Sequence, residues 1–166
     1  MPNANEFVIE RAYDAPVSLV YKMWTEREQL NQWWGPPGWE NEVVSLDLRP
    51  GGVFLYSMKA PDGSFMYGKF VYREIVKNEK LIFVDSFCDK DGNVLRHPMA
   101  NKWPLEILNT LIFTEANGRT LLTLKNIAIN ASVEEVKTFV EGFSSLNQGW
   151  SGTLKQLEDS LKAAGN

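Results

Sequence analysis

Apolar residues in the last third of the chain recur at steps of three and four. Val136, Phe139, Val140, Phe143, Leu146, Trp150, Leu154, Leu157 and Leu161 therefore share one face of a helix running from about Ser132 to Ala164. Ser132 with Glu135 three residues on makes a capping-box start, and Gly165 stands where a helix stops. About thirty residues rising 1.5 Å each cover roughly 45 Å, so this helix is expected to cross most of the molecule. Gly142, Gly149 and Gly152 lie inside it and predict a kink or a close approach to another backbone. The stripe also changes character along its length: Phe139, Phe143 and Trp150 occupy the first half, and the second half is leucine alone.

Earlier in the chain the period is two. Glu6 to Tyr13 reads as a first strand, closed by Asp14-Ala15-Pro16. Pro16 suits the first position of a helix, with Val17, Val20, Tyr21 and Trp24 at helical spacing, and Thr25 with Glu28 predicts a second short helix through Trp34. Gly35-Pro36-Pro37-Gly38 ends it. Six strands are then expected: Asn41 to Leu48, Val53 to Lys59, Phe65 to Ile75, Leu81 to Cys88, Leu105 to Glu115 and Arg119 to Ile127. Short turns between most of them imply antiparallel neighbours. The long connection is Asp89 to Pro104, a polar segment carrying His97. One antiparallel sheet of about seven strands needs one face covered, and the long amphipathic helix is the element large enough to do it. The fold class is α+β, a curved sheet around a C-terminal helix with two short helices after the first strand, in a single domain spanning 1–166.

Composition narrows the function classes. Cys88 is the one cysteine, so no internal disulfide forms, and with no Cys/His cluster at ligand spacing no metal is expected. A reducing cytoplasm fits this cysteine usage. No apolar run approaches a membrane span, and the opening residues lack the blocks of a signal peptide. With 17 basic against 21 acidic residues, no nucleic-acid partner is expected. Aromatic residues make up 12% of the chain, six of them Trp, which points to large packed or contacting surfaces.

Four ordered motifs carry a resemblance: Trp33-Trp34-Gly35-Pro36 with Trp39, Asp47-Leu48-Arg49-Pro50-Gly51-Gly52, Pro61-Asp62-Gly63, and Gly149-Trp150 with Leu154 and Leu157. In these the chain resembles the family similar to the activator of the ninety-kilodalton heat-shock protein ATPase, within the START-like, polyketide-cyclase-like superfamily. The resemblance implies a helix-grip fold with a hydrophobic cavity between sheet and helix. It also implies several possible roles, because the fold hosts lipid carriers, cyclases and chaperone partners.

The candidate site follows from the faces. Phe139, Phe143, Leu146 and Trp150 form either plain core or one wall of a cavity. Phe54, Tyr56 and Met58 share a face of one strand, Phe70 and Tyr72 a face of the next, and Leu111 extends the apolar surface. A buried Tyr56 or Tyr72 hydroxyl would need a ligand or water as partner, unless it reaches the sheet rim. Asp85, Asn109 and Asn126 alternate in phase with apolar neighbours. Either they point into the grip, or a bulge turns them to solvent. His97 is expected to be solvent-exposed, Cys88 buried and inert, and the Trp33-Trp34 segment scaffold. The expected function is binding of a small hydrophobic or amphipathic molecule without a cofactor, by a monomer or homodimer. Alternatives are a chaperone-associated stress-response role, and a cyclase-like or hydratase-like enzyme using Asp85 or a tyrosine as acid or base.

Overall fold

A computed structural model describes residues 4–98 and 100–165. The element order is β1 (Phe7–Tyr13), α1 (Val17–Thr25), α2 (Arg27–Trp33), β2 (Glu40–Leu46), β3 (Val53–Lys59), β4 (Phe65–Val76), β5 (Lys80–Cys88), β6 (Glu106–Ala116), β7 (Arg119–Ile129), α3 (Val133–Glu141) and α4 (Phe143–Ala164). All seven strands form one antiparallel sheet in the order β1-β7-β6-β5-β4-β3-β2. The sheet curves around the C-terminal helix, which is the helix-grip fold.

Two local expectations change. The C-terminal helix is not continuous: Gly142 separates α3 from α4, and its N–H is shared between the Thr138 and Phe139 carbonyls. A Cβ at Gly142 would stand 3.0 Å from the Trp103 ring, so the kink lies where the loop after β5 presses on the helix. Thr25 does not cap α2. It is the last residue of α1, its hydroxyl donates to the Tyr21 carbonyl, and Glu26 is the N-cap of α2. The capping box at Ser132 and Glu135 forms as the sequence predicts.

The concave face carries the core. Phe7, Ile9, Phe54, Phe70, Tyr72, Leu81, Phe83, Leu111, Leu122 and Leu124 are buried there, and Leu154, Leu157 and Leu161 of α4 close over them. The helix anchors at defined points. The Gly35 carbonyl, in the turn after α2, accepts from Thr153 Oγ1 at 3.1 Å and Gln156 Nε2 at 2.8 Å, and Gln156 also donates to the Trp33 carbonyl at 2.9 Å. A Cβ at Gly152 would meet the Pro37 ring at 2.8 Å, so the close approach at this helical glycine is to a side chain rather than to another backbone. Across the helix, Arg11 of β1 donates to Ser151 Oγ at 2.8 Å.

Gly68 on β4 faces Tyr56 on β3, and the Tyr56 ring lies over it so closely that a Cβ would come within 2.4 Å of the ring and hydroxyl. Gly68→Ala is therefore expected to lower stability by about 1–3 kcal/mol, the usual range for overpacking. Urea unfolding of the single variant, and of Gly68→Ala combined with Tyr56→Leu, checks the cause: the smaller side chain at 56 should recover most of the loss.

Candidate functional site

The two halves of the helix stripe meet different surroundings. Leu154, Leu157 and Leu161 are buried, whereas Phe143, Leu146 and Trp150 are only partly covered. Between that aromatic half of α4 and the sheet lies a pocket of about 370 Å³. The sheet contributes Tyr56, Met58, Asp85, Phe87, Ile107 and Asn126 to its wall. The turn after α2 contributes Trp34 to Pro37, the loop after β5 contributes Trp103, and Ser145, Leu146, Gly149 and Trp150 bring in α4. Ser145 and Gly149 are exposed, so the pocket opens along this side of the helix.

Of the residues the sequence singled out, Tyr56, Met58, Asp85, Asn126, Leu146 and Trp150 border this pocket. Phe54, Phe70, Tyr72, Leu111 and Phe139 are buried in the core behind it, and Phe143 packs edge-on against Phe139. The Tyr72 hydroxyl is buried without a partner among the described residues, and burial first, then nearby Tyr21, pushes this phenol above its ordinary pKa. It does not reach the sheet rim. His97 is half-buried rather than solvent-exposed, its ring edge-on to Phe87 at 4.8 Å, because the loop folds back along β5 through the Leu95 N–H to Phe87 carbonyl bond. Cys88 is buried, and burial pushes its thiol up to about 11, which keeps it a thiol.

Asp85 on β5, Asn109 on β6 and Asn126 on β7 all face inward. No bulge interrupts the β5–β6 or β6–β7 ladder, so alternation carries Asp85, Asn109 and Asn126 onto the concave face. Asn109 and Asn126 are directly opposite each other, and Asp85 stands diagonally two positions from the partner of Asn109. A directed chain results. The Trp150 indole N–H donates to Asn126 Oδ1 at 3.0 Å, Asn126 Nδ2 donates to Asn109 Oδ1, and Asn109 Nδ2 donates to Asp85 Oδ2 at 3.1 Å. An indole N–H can only donate, so it dictates which end of each amide faces the next, and Asp85 must be the final acceptor. The second N–H of each amide is used by a backbone carbonyl, Lys125 for Asn126 and Ile107 for Asn109.

Asp85 ends that chain with a single neutral donor. Its other oxygen has no hydrogen-bond partner among the described residues, and no Lys, Arg or His is among the residues lining the pocket. Burial raises its carboxyl from 3.8 to about 7, against the lowering effect of the Asn109 bond. The nearby Tyr56 phenol is raised too, by burial first and then by Asp85. The Tyr56 hydroxyl has no hydrogen-bond partner among the described residues.

The Trp33-Trp34 pair divides its work. Trp33 is scaffold: it is buried, donates to the Met23 carbonyl at 2.9 Å and packs edge-on against Trp24 at 4.7 Å. Trp34 faces the pocket, with ring centroids 5.5 Å from Tyr56 and 5.8 Å from Trp150. From sequence the Trp33-Trp34-Gly35-Pro36 segment reads as scaffold, and no sequence signal assigns Trp103, Phe87 or Ile107 to the site, yet Trp34 to Pro36 and these three residues line the pocket. The sequence signal at the site is Gly149, a glycine inside the aromatic half of the helix; the structure puts it on the pocket wall, where an added Cβ would meet nothing within 4 Å. A second depression, of about 300 Å³, lies at Arg96, Asn101, Lys102, Ser132 and Glu135. Its charges are already engaged, Arg96 with Glu135 and Lys102 with Glu134.

The polar chain yields two expected outcomes. Asn109→Leu removes the link while filling similar space, and the loss of donors and acceptors should cost about 1–3 kcal/mol in urea unfolding. Asp85→Asn acts through pH. The native state retains a proton on Asp85 between the unfolded value near 4 and about 7, so stability falls as pH rises through that window. Asp85→Asn should therefore raise Tm relative to the parent at about pH 8, with the gap closing toward about pH 4.5.

Comparisons with known proteins agree with this architecture. A protein of known crystal structure from Mycobacterium smegmatis is 28% identical and superposes with a TM-score of 0.78 over 95% of this chain and 91% of its own. A solution structure from Arthrobacter aurescens is 25% identical, with a TM-score of 0.81 over 96% of this chain and 87% of that one. A crystal structure from Nitrosomonas europaea shares the fold at 24% identity, with a TM-score of 0.76 and 99% of both chains covered. No curated protein matches the chain. Among the described residues no helix is long and apolar enough to cross a membrane, and no group of His, Cys, Asp and Glu could hold a metal ion. The sequence pattern that matches, over residues 14–162, is that of the Activator of Hsp90 ATPase homolog 1-like proteins, and with the helix-grip architecture it establishes that the chain belongs to that family.

Proposed function

We propose that this protein binds one small hydrophobic or amphipathic molecule between the sheet and the first half of α4. The observation that carries the reading is the difference between the two halves of the helix stripe. Leucines seal the helix against the sheet at one end, whereas Trp150 and Leu146 stand over a pocket of about 370 Å³ instead of packed side chains. That volume lies within the range of small-molecule sites, and a mainly apolar wall with a few convergent polar groups is their usual character. Tyr56, Met58, Asp85, Leu146 and Trp150 would touch the ligand, with Trp34, Phe87, Trp103 and Ile107 completing the wall. Asn109, Phe54, Phe70, Tyr72, Leu111, Phe139 and Phe143 would shape it from behind.

A chaperone-associated role draws its support from the family's description, and an acid–base role for Asp85 from its raised carboxyl beside Tyr56. Neither has the volume argument behind it. The reading accordingly stops at binding.

Gly149 provides a clean test, because it borders the pocket and has open space where a side chain would go. Gly149→Leu should place a side chain into the pocket and block it, while gaining up to about 1 kcal/mol of stability from helix propensity. Titration with the neutral apolar dye Nile red is expected to show one-to-one binding by the parent and none by a Gly149→Leu variant of equal or higher Tm. Undiminished binding by the variant would remove this pocket as the site. Native mass spectrometry of protein purified from its own source would then identify any resident molecule.

A further inference from the structure

The wall of the pocket combines two features that favour the same ligand charge. Trp34, Tyr56 and Trp150 form a group of inclined rings, Trp34 at 82° to Tyr56 and 56° to Trp150, and Phe87 and Trp103 add further aromatic surface. Ring faces carry the negative part of an aromatic quadrupole and attract a cation within about 6 Å of the centroid. Asp85 adds a carboxyl that borders the same space, accepts from one neutral amide and has no cationic side chain beside it in the pocket wall. A half-buried carboxylate left this way is costly, and a partner of opposite charge is what offsets the cost.

We propose that the ligand of this pocket is an organic cation, an ammonium group attached to an apolar body, with the ammonium held between Asp85 and the Trp34, Tyr56 and Trp150 rings. The inference rests on the pocket being the binding site, and adds the charge of what enters it. The direction of the polar chain supports it. From Trp150 through Asn126 and Asn109 every link donates toward Asp85, so the chain terminates on an acceptor and favours negative charge at that point. A ligand carboxylate or phosphate would meet Asp85 with no Lys, Arg or His in the wall to offset the repulsion. A neutral apolar ligand would leave the carboxyl facing hydrocarbon.

A cation binds the ionised carboxyl in preference to the neutral one. The other titratable group in the pocket wall is Tyr56 on β3, and Asn109 on β6, Asn126 on β7 and Trp150 on α4 are the uncharged polar groups facing Asp85 or linked to it. Tyr56 is raised above its ordinary phenol range, so over neutral pH only Asp85 changes charge.

The test uses phenyltrimethylammonium, whose charge does not depend on pH, and its uncharged isostere tert-butylbenzene, both followed by displacement of Nile red and by the tryptophan indole N–H signals in NMR. The cation should bind at least about tenfold more tightly than the isostere at pH 8, and its affinity should fall about tenfold between pH 8 and pH 6 as Asp85 takes up its proton. Asp85→Asn should abolish the pH dependence and cut the preference to the small part that the rings supply. Equal binding of the two probes by the parent protein would overturn the proposal and leave a general apolar pocket. A cation preference undiminished in Asp85→Asn would overturn the role of the carboxylate. If both probes fail while Nile red still binds at the pocket, the cation assignment alone falls; if Nile red fails as well, so does the pocket as a binding site.

Discussion

The Gly35 carbonyl is the point on which the arrangement of the molecule turns. It accepts from Thr153 and from Gln156, on successive turns of α4, and so ties the helix to the turn that ends α2. Gly35 can present that carbonyl because its φ of 112° belongs to glycine, and because the Asn41 side chain fills the place where a Cβ would be. With Pro37 set against Gly152, these contacts hold the leucine half of α4 down on the sheet. Phe139 of α3, packed on Trp103 at 5.4 Å, holds the other end. A kinked helix anchored at both ends over a concave sheet does not follow the curve between its anchors, and the pocket occupies the space left there.

Across that space the connection is polar rather than apolar. Asn126 and Asn109 are almost completely buried, and they are tolerable because each N–H and carbonyl of the chain from Trp150 to Asp85 has a partner. The chain also joins three strands to the helix with directional bonds, which fix the position of Trp150 in a way that hydrocarbon contact would not. Asp85 is the exception to this satisfaction. A carboxyl raised to about 7 by burial works against folding at neutral pH, and proteins retain such groups most often where a site requires them. A well-satisfied chain that ends in an under-satisfied carboxyl at an aromatic wall is the observation on which the proposed binding role draws.

The hydrophobic pattern by itself determined the element order, the strand boundaries to within a residue or two, the C-terminal helix and its capping box, because each follows from side-chain periodicity and local hydrogen bonding. It also carried the change from aromatic to leucine along the helix, and it put Tyr56, Met58, Asp85, Leu146 and Trp150 on the faces that border the pocket. Whether Asp85, Asn109 and Asn126 faced in or out depended on the absence of a bulge in β5 to β7, and one inserted residue would have reversed it; the bulges lie instead in β2 and β4. The half-burial of His97, the choice of Gly142 among the helix glycines as the site of the kink, and the turn of Trp34 toward the pocket while Trp33 enters the core were decided only in three dimensions. Each depends on contacts between residues far apart in the chain, which no local periodicity encodes.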